Sequence, residues 1–176
     1  AAPGFDLTSA DEKRVKLSSF IGERVLLCFA DRRDALSQYR EAADSLRAMG
    51  VRLIGIARAS PRSLRSLADR DSLSFMMLSD PTGEISAIYG SYDFATSSIR
   101  PGYVLVGRTN LVRMALLGQW LPPGDLVQIT RYALIATTGI KDAMGRPVRG
   151  SALVRFLRSR SSARAANLEG YRAQLL

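Results

Sequence analysis

Val25-Leu-Leu-Cys-Phe29 is apolar at every position, and the run breaks into Ala30-Asp-Arg-Arg-Asp34 before an amphipathic stretch begins. A strand with one wet face alternates, so an unbroken apolar run predicts a strand covered on both faces. Val51 to Ile56 reads as the next strand, and Ser74 to Leu78 as a short one ending in Ser79-Asp80-Pro81. Tyr103 to Val106 and Leu111 to Leu117 read as two strands around the turn Gly107-Arg108-Thr109-Asn110. Near the start, Phe5 to Thr8 and the alternating Arg14 to Leu17 predict an edge hairpin. Helical spacing recurs at Leu36, Tyr39, Ala43, Leu46 and Met49, with Gly50 as the stop. Ser60-Pro61 is a cap and first-turn proline for a helix burying Leu64, Leu67 and Ala68. Glu84 to Tyr89 makes one or two turns closed by Gly90. Asp125 to Thr138 forms a last helix with Leu126, Ile129, Ala133 and Leu134 inward and Gly139 as its stop. The order β-β-β-α-β-α-β-α-β-β-α predicts an α/β fold, a mixed sheet flanked by helices.

The chain of 176 residues is 47% apolar, enough for one domain with a substantial core. Twenty-five Lys and Arg stand against sixteen Asp and Glu, a net charge of +9, and there is no histidine. That absence excludes zinc sites and Ser-His-Asp or Cys-His catalysis, and no metal or cofactor is expected. A lone cysteine, Cys28, excludes an internal disulfide and leaves an intermolecular one open. Lys13, Lys16 and Lys141 are the only lysines, so the charge is nearly all arginine. That suits bidentate phosphate or carboxylate contacts, although arginine bias is also a coding habit of some genomes. No apolar stretch approaches the roughly 20 residues of a membrane-crossing helix, so the expectation is a soluble or peripheral protein. The chain opens Ala1-Ala2-Pro3 without methionine, which admits a removed leader, and with it an organellar location, or a partial sequence.

In open α/β sheets chemistry sits where the central strands end, which puts the candidate site in the loop Ala30 to Gln38. Its reactive types are limited to Asp31, Arg32, Arg33, Asp34 and Ser37.

Several segments together resemble a peroxiredoxin of the alkyl hydroperoxide reductase and thiol-specific antioxidant branch. They are Ala2-Pro3-Gly-Phe5, Val15-Lys-Leu17 with Phe20-Ile-Gly22, the strand Val25 to Phe29, Leu78-Ser-Asp-Pro81 before Tyr89-Gly90, and Arg100-Pro-Gly-Tyr103-Val-Leu-Val106. The resemblance covers about residues 1 to 138 and implies a thioredoxin-like fold with a mixed sheet. Peroxiredoxins place a proline, a threonine and the peroxidatic cysteine in the loop after the central strand, and an arginine before a later strand completes the pocket. In this chain the proline position falls on Asp31, the threonine on Ala35 and the cysteine on Gln38, or on Ser37 if the register slips by one. Arg100 matches the family's arginine.

Peroxide reduction requires a thiolate of lowered pKa, which neither an amide nor an unassisted hydroxyl replaces. The expectation from the loop is therefore a protein that is not an enzyme, a structural or accessory subunit of a larger assembly. The alternative is a thiol-dependent peroxidase or reductase working through Cys28, a residue expected to be a small buried hydrophobe. Arg100 either pairs with Asp31, Asp34 or Asp80 or keeps a small-anion pocket. Asp80 is read as a strand terminator rather than a metal ligand, and Trp120 as a lid on the core. The resemblance also admits a dimer.

Residues 1–139 are read as the peroxiredoxin-like domain and 140–176 as a basic C-terminal extension. From Lys141 onward eight basic residues oppose Asp142 and Glu169, a net +6. Arg149, Arg155, Phe156, Leu157, Arg158, Arg160 and Tyr171 combine apolar anchors with arginines, the pattern of an arm docking in a protein groove. An RNA-binding arm would use the arginines on phosphates but has few interleaved aromatics. A membrane-surface helix would need a cleaner apolar face, and a last helix packed on the chain's own core is the fourth reading. Protein subunits of a larger complex rank first as partners.

Overall fold

The computed structural model describes residues 1–138. Strand β3 (Arg24–Ala30) is buried at every position after Arg24, as its unbroken apolar run requires. Alternation still operates inside it. Leu26, Cys28 and Ala30 join the core on one side of the sheet, and Val25, Leu27 and Phe29 join the core on the other. Burying each large apolar side chain on this strand contributes about 1.5–3 kcal/mol.

The remaining strands are β1 (Asp6–Ser9), β2 (Arg14–Lys16), β4 (Val51–Ala57), β5 (Met76–Ser79), β6 (Tyr92–Asp93), β7 (Ser98–Ile99), β8 (Gly102–Val106) and β9 (Val112–Leu117). The helices are α1 (Arg40–Ala48), α2 (Pro61–Asp71), α3 (Glu84–Ile88) and α4 (Pro123–Thr138). Seven strands form one mixed sheet in the order β2-β1-β5-β4-β3-β8-β9. Strand β3 runs parallel to β4 and antiparallel to β8, with Cys28 opposite Gly55 on one side and Tyr103 on the other. The mixed sheet flanked by helices is the thioredoxin-like arrangement expected from the sequence.

Helices α1, α2 and α4 supply Leu46, Leu64, Leu67 and Leu126 to one core. The opposite face is covered by Phe5, a 3-10 turn at Leu17–Phe20, and Tyr89. Ser60 caps α2 by accepting a hydrogen bond from the Ser63 amide at 3.3 Å, and Pro61 opens it, as its missing N–H allows.

Two elements differ from those expected. The stretch predicted to begin α1 at Leu36 is a 3-10 turn, Arg33–Tyr39, so the α-helix starts at Arg40. Its buried residues are Leu36 and Tyr39, three apart, which is the period of a 3-10 turn. The segment read as a polar loop holds a small hairpin, β6 with β7, in which Tyr92 faces Ile99. Asp93 builds the turn by accepting from the Ala95 amide at 2.9 Å, an Asx turn that a hydrophobicity pattern does not reveal.

Candidate active site

The loop after β3 is cross-linked to α2 and to the β6–β7 hairpin by polar side chains. Asp31 leaves the end of the strand and accepts from the Ile99 amide at 3.0 Å, with the Arg58 guanidinium at 3.7 Å. Arg33 donates to the Ser63 carbonyl at 2.7 Å and to the Ser63 hydroxyl. Ser37 donates to Asp71 at 2.5 Å, and Arg70 bridges Asp71 and Asp34 at 2.7 and 3.0 Å. The Arg70 guanidinium and then the Ser37 hydroxyl stabilise the Asp71 anion and hold its pKa well below the usual carboxylate range. A hydroxyl donating to a carboxylate has its proton fixed on that contact, so Ser37 is a bracing group here.

Ala35 closes the 3-10 turn by donating from its amide to the Arg32 carbonyl, and the exposed Gln38 amide donates to the Ala35 carbonyl at 2.9 Å. Arg100 immediately precedes Pro101 and β8, and its guanidinium donates to the Tyr92 carbonyl at 3.4 Å. The expected pairing of Arg100 with Asp31, Asp34 or Asp80 is not formed. Asp31 has Arg58, Asp34 has Arg70, and Asp80 is buried as the acceptor for the Ser86 amide and hydroxyl at 2.9 and 2.7 Å. Asp80 thus ends a strand, as read from the sequence, and holds the start of α3. Among the described residues no cluster of three or more acidic or cysteine side chains has metal-binding spacing.

Cys28 lies within β3, two residues short of the strand's end, and is fully buried. Burial drives its thiol pKa far above the ordinary value of 9.0, because the surrounding core cannot solvate a thiolate. Beside it is an arrangement that the spacing argument missed. The Leu121 amide donates to the Tyr103 hydroxyl at 2.9 Å, and the Tyr39 hydroxyl donates to the Leu121 carbonyl at 2.8 Å. The two phenol oxygens are 2.5 Å apart. Tyr39 has one hydrogen and gives it to Leu121, so Tyr103 donates to Tyr39 and the hydrogen bonds close into a ring. Burial, reinforced by the phenol contact, raises the Tyr39 pKa, and burial raises that of Tyr103, so both keep their protons. The Trp120 ring stacks on Tyr39 at 6.4 Å between centroids, the lid expected of it. The ring therefore fastens the Trp120-Leu121 segment over the core that contains Cys28. Tyr39 was visible only as one apolar position in a helical stripe, and no sequence signal tied it to Tyr103.

The extension residues Arg149, Arg155, Phe156, Leu157, Arg158, Arg160 and Tyr171, together with the Gly139 stop, lie outside the described residues. No helix among the described residues is long and apolar enough to cross a membrane.

A seven-stranded mixed sheet with a braced loop after β3 and an arginine before β8 defines a thioredoxin-like fold of the peroxiredoxin type. The chain belongs to the AhpC/TSA family, whose model matches residues 1–115. It is 31% identical over 97 residues to Peroxiredoxin Bcp of Escherichia coli K12, covering 51% of this chain and 61% of that protein. It is 28% identical over 130 residues to the chloroplastic Peroxiredoxin Q of Populus jackii, covering 69% and 61%. The matched region thus spans about 61% of the length of these curated relatives. Enterococcus faecalis AhpC superposes with a TM-score of 0.68 at 17% identity, covering 79% of this chain and 93% of that one. Peroxidoxin BcpB from Mycobacterium tuberculosis gives 0.66 at 16%, covering 76% and 94%. At these identities the two structures establish the fold.

The expectation that the chain is not an enzyme is overturned by these relatives, which are named as peroxiredoxins. The expectation rested on the loop having no thiol and on reading Cys28 as a small buried hydrophobe. The chain's single sulfhydryl stands instead on the strand that feeds the loop.

Proposed function

We propose that this protein is a thiol-dependent peroxidase that reacts through Cys28. Membership of the AhpC/TSA family and the peroxiredoxin names of its relatives support the reaction class. The observation that carries the assignment is that Cys28, the chain's one thiol, lies in the same core as Tyr39, Tyr103 and Leu121, whose segment is closed by a single hydrogen-bonded ring. In the reaction the Cys28 thiolate attacks one peroxide oxygen, the O–O bond breaks, and the leaving oxygen takes a proton to become water or an alcohol. The resulting sulfenic acid condenses with an external thiol to a mixed disulfide and water. A second thiol then releases Cys28 and leaves as part of the reductant disulfide. Because burial disfavours the thiolate, attack proceeds from conformations in which the Trp120-Leu121 segment has lifted.

The test is peroxide consumption in the presence of a thiol reductant, by the parent and by Cys28→Ser. The expected result is turnover by the parent above background and none by the variant. Equal background rates in both would overturn the assignment.

A second reading, compatible with the first, is supported by the extension after residue 139. Its net +6 and its apolar anchors fit an arm that docks the domain on protein subunits of a larger complex. Native particle size in gentle extracts, for the full chain and for a version ending at Gly139, tests it. A large complex for the first and a free protein for the second is expected. Small particles in both, or attachment that nuclease releases, would refute protein docking, the latter in favour of RNA.

A further inference from the structure

We infer that Arg24, Arg108 and Arg113 form a binding site for a small phosphate-bearing anion, at the end of β3 opposite the loop Ala30 to Gln38. The sheet register brings them together. Val25 pairs with Val106 across β3 and β8, so Arg24 starts its strand where β8 runs into Gly107. Val106 pairs with Val112 across β8 and β9 at an irregular step in the ladder, which returns Arg113 to the same place. Gly107 makes room for one of them, Arg113. A Cβ on Gly107 would lie 2.8 Å from the Arg113 Nε, so the guanidinium arm lies over bare backbone.

The frame beneath them is fixed. The turn is closed by the Asn110 amide on the Gly107 carbonyl at 3.0 Å and by the Gly107 amide on the Leu111 carbonyl at 2.8 Å. It is fastened from outside by the Gly22 amide on the Arg108 carbonyl at 2.9 Å and by the Ala2 amide on the Asn110 carbonyl at 2.8 Å. The three arginines surround a cavity of about 180 Å³ whose apolar part is Leu105 and Leu134. Arg24 and Arg108 also border an adjoining groove of about 340 Å³.

Electrostatic pairing distinguishes this cluster from its surroundings. In the adjoining groove Arg52 pairs with Glu23 at 2.7 Å, and Arg47 pairs with Asp44 at 3.0 Å. Among the described residues the side chains of Arg24, Arg108 and Arg113 have no carboxylate and no hydrogen-bond acceptor. Three like charges held around one recess repel, and an oxyanion that accepts from their planar forks removes that repulsion. A phosphate or diphosphate group supplies both the charge and the several oxygens that three guanidinium forks require.

Calorimetric titration of the full chain at low ionic strength, with inorganic pyrophosphate and with glycerol phosphate as probes, tests the site. Saturable one-to-one binding is expected, and the tighter of the two probes tells a free anion from an esterified one. Arg108→Gln and Arg113→Gln should each weaken binding at least about tenfold, the effect of losing one charge-assisted hydrogen bond. Arg108→Lys, which keeps the charge but not the fork, should fall between parent and Arg108→Gln. Arg14→Gln, on a residue paired with Asp6 at 3.0 Å, should bind like the parent, and thermal melts of each variant establish that it is folded. Failure of both probes to bind, or binding that survives both Gln substitutions unchanged, would overturn the proposal.

Discussion

Tyr103→Phe is the sharpest probe of the arrangement around Cys28, because it removes one oxygen atom and leaves the packing in place. That oxygen accepts from the buried Leu121 amide at 2.9 Å and donates to Tyr39 at 2.5 Å. Without it the Leu121 N–H has no acceptor in a region that water does not reach, a penalty of about 1–3 kcal/mol. With the lost contact to Tyr39 the variant should be less stable by about 2–3 kcal/mol, which lowers Tm by roughly 4–10 °C for a chain of this size. Tyr39→Phe breaks the same ring at its other member, so the double variant should cost less than the sum of the two. The kinetic consequence is more specific than the thermal one. If Cys28 reacts only when the Trp120-Leu121 segment lifts, a penalty of about 2 kcal/mol on the closed state raises the open population roughly 30-fold. Labelling of the one thiol by an aromatic disulfide, followed by absorbance below the melting range, should accelerate by that factor. A fall in Tm with no change in labelling rate would refute the lifted segment as the route to Cys28. No change in either would refute the ring itself.

Three further outcomes are expected. Asp80→Ala leaves the buried Ser86 amide and hydroxyl without their acceptor and should destabilise by about 2–3 kcal/mol in urea unfolding, with Asp80→Asn less harmful because one acceptor oxygen remains. Gly102→Ala places a Cβ 1.9 Å from the buried Ser91 hydroxyl oxygen and should cost about 1–3 kcal/mol, part of which Ser91→Ala returns in the double variant. The folded state keeps the Cys28 proton above pH 9.0, where the unfolded chain releases it, so this contribution to stability is full below pH 9.0 and is lost as pH rises. Parent unfolding energies should therefore fall by about 1.4 kcal/mol more than those of Cys28→Ala between pH 8 and pH 10.

The strands around β3 were legible because burial on both faces leaves no polar position for a pattern to hide. The helices were legible where punctuation reinforced periodicity, as at Ser60-Pro61 and at Gly50, whose φ of 70° is the left-handed end of α1. The start of α1 was misplaced because periods of 3.0 and 3.6 residues coincide over a single turn, so Leu36 and Tyr39 fit both. Charge pairing at the candidate site was not legible at all. Asp31 was one of three carboxylates offered as a partner for Arg100, yet it meets Arg58 and the Ile99 amide, neither of which lies near it in sequence. Such contacts depend on where the β6–β7 hairpin folds back, and that hairpin is specified by the Asx turn at Asp93 rather than by hydrophobicity.

The bracing of the loop explains why reactivity is assigned to the strand. Arg33 on Ser63, Ser37 on Asp71 and Arg70 across Asp34 and Asp71 hold the 3-10 turn against α2 at three separate points. A hydroxyl engaged in this way would have to leave Asp71 before it could attack anything, and Asp71 in turn has Arg70, so the contacts resist in concert. The Trp120-Leu121 segment is held differently. Its polar contacts with Tyr39 and Tyr103 form a single closed ring, so loss of either tyrosine hydroxyl breaks the circuit. Under the proposed reaction through Cys28, opening that one ring is the step that exposes the core Cys28 shares with Tyr39, Tyr103 and Leu121.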